Sequence, residues 1–191
     1  MNLILASQSP RRRELMGLFR VPFTVHAADI DETMNPALRP YDEVARVSRC
    51  KALAVPRGPE DVVVAADTIV VRGGTVLGKP KSRQEAVGML NLLSGRDHQV
   101  MTGLTVLRGE RMISCTEVTD IHFRPLSRRE IEAYVDTGEP MDKAGAYGIQ
   151  GGAALFVERI AGDYYNVMGL PVCRLGVILG QLAPEIMEVR E

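Results

Sequence analysis

Val62-Val63-Val64-Ala65-Ala66-Asp67-Thr68-Ile69-Val70-Val71 is the stretch on which the fold turns. A valine-rich run with so little polar interruption suits a central strand covered on both faces. Gly73-Gly74 then turns the chain, and Val76-Leu77 predicts the return arm of a hairpin. N-terminal to this stretch, Asn2 to Ala6 reads as a short buried strand. Ser9 and Pro10 have the chemistry of an N-cap and a first helical position, and Arg11 to Phe19 continues at helical spacing. Phe23 to His26 reads as a strand, followed by an acidic turn at Asp29-Ile30-Asp31-Glu32. Tyr41 to Val55 reads as a helix with Val44, Val47 and Leu53 on or near one face.

On the C-terminal side, Ser82-Arg83-Gln84-Glu85 and Ser127-Arg128-Arg129-Glu130 match capping boxes. The first opens a helix ending near Ser94-Gly95, and the second opens one stopped by Gly138. Gln99 to Leu107 and Met112 to Phe123 are strand-like, with a turn at Arg108-Gly109-Glu110. A glycine-rich loop runs from Asp142 to Gly152, Ala153 to Arg159 reads as a strand, and Leu170 to Leu182 as a closing helix. Several adjacent strands among helices predict an α/β protein with a mixed sheet.

The chain has 191 residues, 23 Lys+Arg and 24 Asp+Glu, for a net charge of -1. That balance excludes a basic nucleic-acid coat and an acidic tail. With 46% hydrophobic and 25% charged residues the composition is that of a globular protein. A chain of this length buries about 70% of its unfolded surface and needs no disulfide to fold. One domain is the default reading, with two small ones as the alternative. Cys50, Cys115 and Cys173 are scattered, which gives no disulfide framework and points to the reducing cytoplasm. No apolar run approaches ~20 residues, so no membrane span is expected. No export signal is expected either, because the short apolar N-terminus precedes its arginines rather than following them.

Four segments could carry chemistry. Ser7-Gln8-Ser9-Pro10-Arg11-Arg12-Arg13 lies at a strand-to-helix junction, and its arginines have the wrong sign for a helix N-terminus. A bound phosphate would relieve that conflict, with Arg11 and Arg12 nearest the helix mouth. A solvated first turn, with Arg13 paired to an acid elsewhere, accounts for them equally well. Asp67 interrupts the apolar strand, where an unpaired carboxylate costs several kcal/mol, roughly. It reads as a metal ligand or general base, with a salt bridge to Lys79 or an arginine as the alternative. Leu77-Gly78-Lys79-Pro80-Lys81 forms a cationic corner suited to phosphate, or two solvated lysines. In Asp142-Lys143-Ala144-Gly145-Ala146-Tyr147-Gly148-Ile149-Gln150-Gly151-Gly152, the glycines permit close backbone approach. Gln150 carries both a donor and an acceptor for a base edge, and the alternative is a turn-rich connection. Glu32 reads as a surface acid and Lys51 as a solvated lysine; Tyr164-Tyr165 read as core at a strand end. The histidines share no ligand spacing. A cationic helix mouth, a buried carboxylate, a lysine corner and a glycine loop together fit a metal-bound polyphosphate.

The order and spacing of Ala6-Ser7 through Ser9-Pro10-Arg11-Arg12, Ala66-Asp67-Thr68, Gly78-Lys79-Pro80, Leu93-Ser94-Gly95-Arg96 and Gly169-Leu170-Pro171 resemble the Maf family of nucleoside triphosphate pyrophosphatases. The resemblance covers essentially the whole chain. The segment Asp142 to Gly151 looks like the subgroup acting on dTTP and UTP rather than the one acting on 7-methyl-GTP, while Gly152-Ala153-Ala154 departs somewhat from the family pattern. The resemblance implies a single domain over 1–191, of the inosine-triphosphatase-like α/β kind, with an elongated mixed sheet and a substrate cleft. It implies cleavage between the α- and β-phosphates, giving a monophosphate and pyrophosphate. Asp67 matches the family's proton acceptor, and Arg11, Thr68 and Gln150 match positions linked to substrate choice. Ser7, Arg12, Glu32, Lys51 and Lys79 match further polar positions of the cleft. Glu32 or Asp67 would hold a divalent metal, magnesium first, with manganese or cobalt as alternatives.

The expected partner is a small-molecule nucleotide, normal or modified, rather than a nucleic-acid polymer or a membrane. A homodimer is compatible with the sequence. The principal rival is a nucleotide-binding regulator of septum formation and cell division with little turnover. A duplex-DNA binder ranks below it, on the net charge and the lack of a recognition helix.

Overall fold

The computed structural model describes residues 1–35 and 37–187. Its chain order begins with β1 (Leu3–Leu5), α1 (Pro10–Gly17), β2 (Phe23–Val25) and α2 (Pro40–Ala54). It continues with β3 (Val62–Arg72), β4 (Thr75–Leu77), α3 (Arg83–Leu93), β5 (Asp97–Arg108) and β6 (Arg111–Phe123). It closes with α4 (Arg128–Asp136), β7 (Val157–Ala161), α5 (Tyr164–Met168), α6 (Val172–Leu182) and α7 (Pro184–Met187). The seven strands form one sheet in the order β2-β1-β3-β5-β6-β7, with β4 paired to β3. Pairing is parallel for β1 with β2 and with β3, and antiparallel for β3–β4 and β6–β7, so the sheet is mixed as expected.

The chain divides into two compact units, Met1–Asp67 with Thr102–Glu117 and Gly169–Glu191, and Thr68–Met101 with Val118–Met168. In the first, Ile4, Ala6, Val63 and Ala65 share a core with Ala52, Val55 and Leu107. Helix α2 lies very close to β5 here: a Cβ on Gly103 would overlap the Val44 carbonyl, so only glycine lets the two backbones approach. In the second unit, Leu90 and Leu93 of α3 and Ile131, Tyr134 and Val135 of α4 pack with Val70, Ile121, Phe123, Tyr147 and Phe156.

Local chemistry explains most element ends. The Ser9 side chain caps α1, with Pro10 at its start. Ser127 and Glu130 complete the reciprocal capping box of α4, and Gly138, at φ 76°, follows it. The box at α3 is only half made. Ser82 accepts from the Glu85 amide, but Glu85 Oε2 accepts from the Lys81 amide, one residue further back.

Four expectations need correction. Helix α1 stops at Gly17, short of Phe19. Leu53 is 52% exposed and lies off the buried face of α2. Gly152–Leu155 forms a 3₁₀ turn, so the last strand begins at Val157 rather than Ala153. Tyr164 and Tyr165 start a short helix and are exposed, because Asp163 turns the chain there by accepting the Tyr165 amide.

Candidate active site

In the first unit, β3 delivers Asp67 and α2 delivers Lys51. Lys51 Nζ lies 2.7 Å from Asp67 Oδ1 and 3.0 Å from Glu32 Oε1. The Lys51 side chain is 8% exposed, Asp67 14% and Glu32 55%. The alternative reading of Asp67 as an ion-paired residue finds a partner in Lys51, which that reading does not name. Lys51 itself is buried rather than solvated, and Glu32 is no isolated surface acid. The Lys51–Asp67 pair offsets the desolvation of both groups, with Glu32 adding a second, exposed carboxylate.

Glu32 belongs to an irregular segment, yet two residues of α2 hold that segment. Glu43, 1% exposed, accepts from the Asn35 amide at 2.7 Å and forms an ion pair with Arg46 at 2.6 Å. Arg46 also donates to the Thr33 carbonyl. The Arg46 and Asn35 bonds hold the Glu43 carboxyl below the ordinary carboxylate range, against the opposing effect of burial. Asp31 adds an Asx turn to the Thr33 amide.

Arg12 Nε donates to the Gly169 carbonyl at 2.7 Å, and its Nη1 donates to Ser7 Oγ at 3.3 Å. Ser7 Oγ also accepts the Ser9 amide. Burial lowers the Arg12 pKa, while Asp67 and Glu32 pull it up and the neighbouring Arg11 pushes it down. Arg12 is therefore within electrostatic reach of both carboxylates. Arg11 is half-buried and Arg13 is exposed.

Thr68, Lys79 and Gln150 belong to the second unit. Thr68 is half-buried; Lys79 and Gln150 are exposed. The lysine corner and the glycine loop meet there. The Gly145 amide donates to the Gly78 carbonyl at 3.0 Å, and a Cβ on Gly145 would lie 2.9 Å from the Val70 side chain. The backbone is left-handed at Gly145 and Ala146, with φ of 68° and 60°. Sequence reasoning missed Glu43, Arg46 and Gly103. Glycine inside a strand was the only local signal, and it marked Gly103.

The Maf-like protein family model matches residues 2–182. The chain belongs to the Maf family. A dTTP/UTP pyrophosphatase of Symbiobacterium thermophilum is 53% identical over 180 residues, covering 94% of this chain and 93% of that protein. One from Bacillus pumilus is 49% identical over 173 residues, covering 90% and 92%. Among solved structures, a HAM1 protein from Coxiella burnetii superposes with a TM-score of 0.51 at 14% identity, over 95% of this chain and 99% of that one. That likeness concerns the fold alone and agrees with the expected inosine-triphosphatase-like class.

Among the described residues no group of three or more His, Cys, Asp or Glu side chains could hold a metal ion. Glu32 and Asp67 nevertheless converge on one point, the Lys51 ammonium. Magnesium takes one or two carboxylates from protein when phosphates and water supply the rest. The pair fits a metal that arrives with a phosphate ligand and does not form a closed protein cage. No helix among the described residues is long and apolar enough to cross a membrane.

Proposed function

We propose that this Maf-family chain, acting as one domain over residues 1–191, hydrolyses dTTP and UTP, and modified pyrimidine relatives, to the monophosphate and pyrophosphate. The observation that carries this reading is the convergence of Asp67 and Glu32 on the buried Lys51, within electrostatic reach of Arg12. The names of relatives about 50% identical support the substrate class.

Arg12, fixed by Gly169 and Ser7, presents a guanidinium already oriented for a phosphate oxygen. Arg11, at the same helix mouth, adds positive charge. Lys51 balances the charge of the two carboxylates, and Asp67 serves as the proton acceptor. Only Oδ1 of Asp67 is engaged by Lys51. A water oxygen attacks phosphorus in line, its proton passes to Asp67, and the bridging oxygen leaves with its electron pair. Glu32 or Asp67 would hold magnesium, or manganese or cobalt in its place, and the chemistry it supplies is charge withdrawal from the phosphoryl oxygens. Lys79 would meet phosphate as a point charge. Thr68 and Gln150 would select the nucleotide, with the Gln150 amide facing the pyrimidine edge. The free cysteines Cys50, Cys115 and Cys173 fit a cytoplasmic enzyme.

The test is a nucleotide panel with magnesium: dTTP, UTP, CTP, the purine triphosphates and 7-methyl-GTP, with products separated and identified. Pyrophosphate with dTMP or UMP, formed from those two substrates above the rest, is the expected result. Tight binding without turnover would move the septum-formation regulator to first place.

A further inference from the structure

The glycine loop contains more glycine than one close approach to a ligand requires, and the second unit shows where the rest is spent. Tyr134 Oη, on α4, donates to Glu139 Oε1 at 2.9 Å and accepts the Gly148 amide at 3.2 Å. Glu139 Oε2 accepts the Gly152 amide at 3.1 Å. One tyrosine and one carboxylate therefore bind the loop backbone on both sides of Gln150. Lys143 Nζ donates to the Glu139 carbonyl at 2.6 Å and closes the 3₁₀ turn Glu139–Asp142 beneath them.

The glycines fit around this pair. A Cβ on Gly151 would overlap the Glu139 carboxylate, one on Gly148 would lie 2.7 Å from Lys143 Cε, and one on Gly152 would lie 3.2 Å from the Tyr134 ring. Tyr147 supplies a third anchor. It is 6% exposed, and its hydroxyl lies 2.9 Å from Nε2 of the buried His98. Ile149 is also buried, while Gln150 is exposed. Between Tyr147 and Gly152 the loop is held from both sides, and Gln150 is the one exposed residue there that carries a side chain.

We propose that Tyr134 and Glu139 are positioning residues that hold Gln150 and thereby set the enzyme's preference among nucleotide bases. This rests on the reading of Gln150 given above. A side chain on an unpinned glycine loop would sample many orientations, and ordering it on binding would cost conformational entropy. The pair removes that cost in advance, using two backbone amides and a hydroxyl whose ring stays packed edge-on against Phe156 at 5.2 Å.

The decisive experiment is a double-mutant cycle between Tyr134→Phe and Gln150→Ala in the full chain. It reads KM for dTTP and UTP, and the inhibition constant of inorganic tripolyphosphate, which has no base. Tyr134→Phe should raise KM for both nucleotides about tenfold and leave the tripolyphosphate constant unchanged. The double variant should be no worse than Gln150→Ala alone. Equal losses for nucleotide and tripolyphosphate, or losses that multiply in the double variant, would overturn the proposal. Should Tyr134→Phe fail to fold, Glu139→Gln enters the same cycle with the same expectations, since Tyr134 and Gly152 donate to different carboxylate oxygens and glutamine keeps an acceptor at only one of those positions. A wild-type enzyme inactive on dTTP and UTP would sink the functional reading first; an active one with a multiplicative cycle would sink only this inference.

Discussion

Each unit fastens a loop with a glutamate, and the two do it by different physics. Glu43 is 1% exposed and neutralised by Arg46, so the segment bearing Glu32 hangs from a charge pair on a helix. Glu139 is half-buried; its carboxylate accepts from two neutral donors, the Tyr134 hydroxyl and the Gly152 amide, while Lys143 binds its backbone carbonyl. The first arrangement keeps a charged centre of two carboxylates and an ammonium in register, where a small displacement changes the field on every member. The second holds an uncharged amide side chain, for which orientation matters more than field. If this contrast is right, damage in the first unit should appear in turnover and damage in the second in substrate choice.

The largest effect tests that split directly. Asp67→Asn should lower kcat by about 10²–10⁴-fold, the range for removing a general base, with little change in the nucleotide preference. Lys51 retains Glu32 as a counter-ion in this variant, so the fold should survive and the melting temperature should move little. Gln150→Ala should do the reverse, weakening dTTP and UTP more than tripolyphosphate while kcat holds. Near-full turnover in Asp67→Asn would remove Asp67 from the chemistry and collapse the contrast.

Glu43→Gln is the second way to sharpen it. The substitution leaves Arg46 without its ion pair and weakens the acceptor for the Asn35 amide. Breaking a buried pair costs about 3–5 kcal/mol, and Arg46, 35% exposed, regains some hydration, so about 2–3 kcal/mol is expected. Denaturant unfolding measures it. The pH dependence supplies the sign. Because the folded Glu43 pKa is depressed, its support is present above the unfolded value near ~4.3 and is lost as pH falls through the folded value. Wild type should therefore weaken in strong acid more than Glu43→Gln does.

These two regions also show what a sequence can and cannot disclose. Asp67 stood out, because a carboxylate in a valine run requires a partner, whether a catalytic ligand or a salt bridge. The start of α1 with its cap, the two helix-opening serines and the Gly73-Gly74 turn were equally legible, since each depends on neighbours within four residues. Lys51 was not. Nothing local separates a solvated lysine on a helix from one turned inward to two acids that lie 16 and 19 residues away. Glu43 and Arg46 look like an ordinary i,i+3 surface pair until the Asn35 amide is seen to bind them. The late start of β7 has a similar cause. Gly152-Ala153-Ala154 can enter a strand or a tight turn, and the Glu139 bond to the Gly152 amide selects the turn.

The smallest effect isolates the second unit by pH. His98 is 3% exposed and its pKa is pushed down to about 4, chiefly by burial, with Asp97 and the Arg96 backbone opposing and His122 and Arg72 reinforcing. Its unfolded value is near ~6.5. Between these values the unfolded chain binds a proton that the folded chain refuses, so stability falls as the solution is acidified from neutrality and the loss saturates below the folded value. Urea unfolding at pH 7 and pH 5 should differ by about 1–2 kcal/mol from this residue. His98→Gln, which can still meet the Tyr147 hydroxyl, should flatten that slope. The folded His98 refuses the proton across this window, so its contact with the Tyr147 hydroxyl persists and the loss is one of global stability. The base preference should therefore stay constant from pH 7 to pH 5 while stability falls, and a preference that shifts at pH 5 would show that the loop opens locally and admits the His98 proton before the protein unfolds.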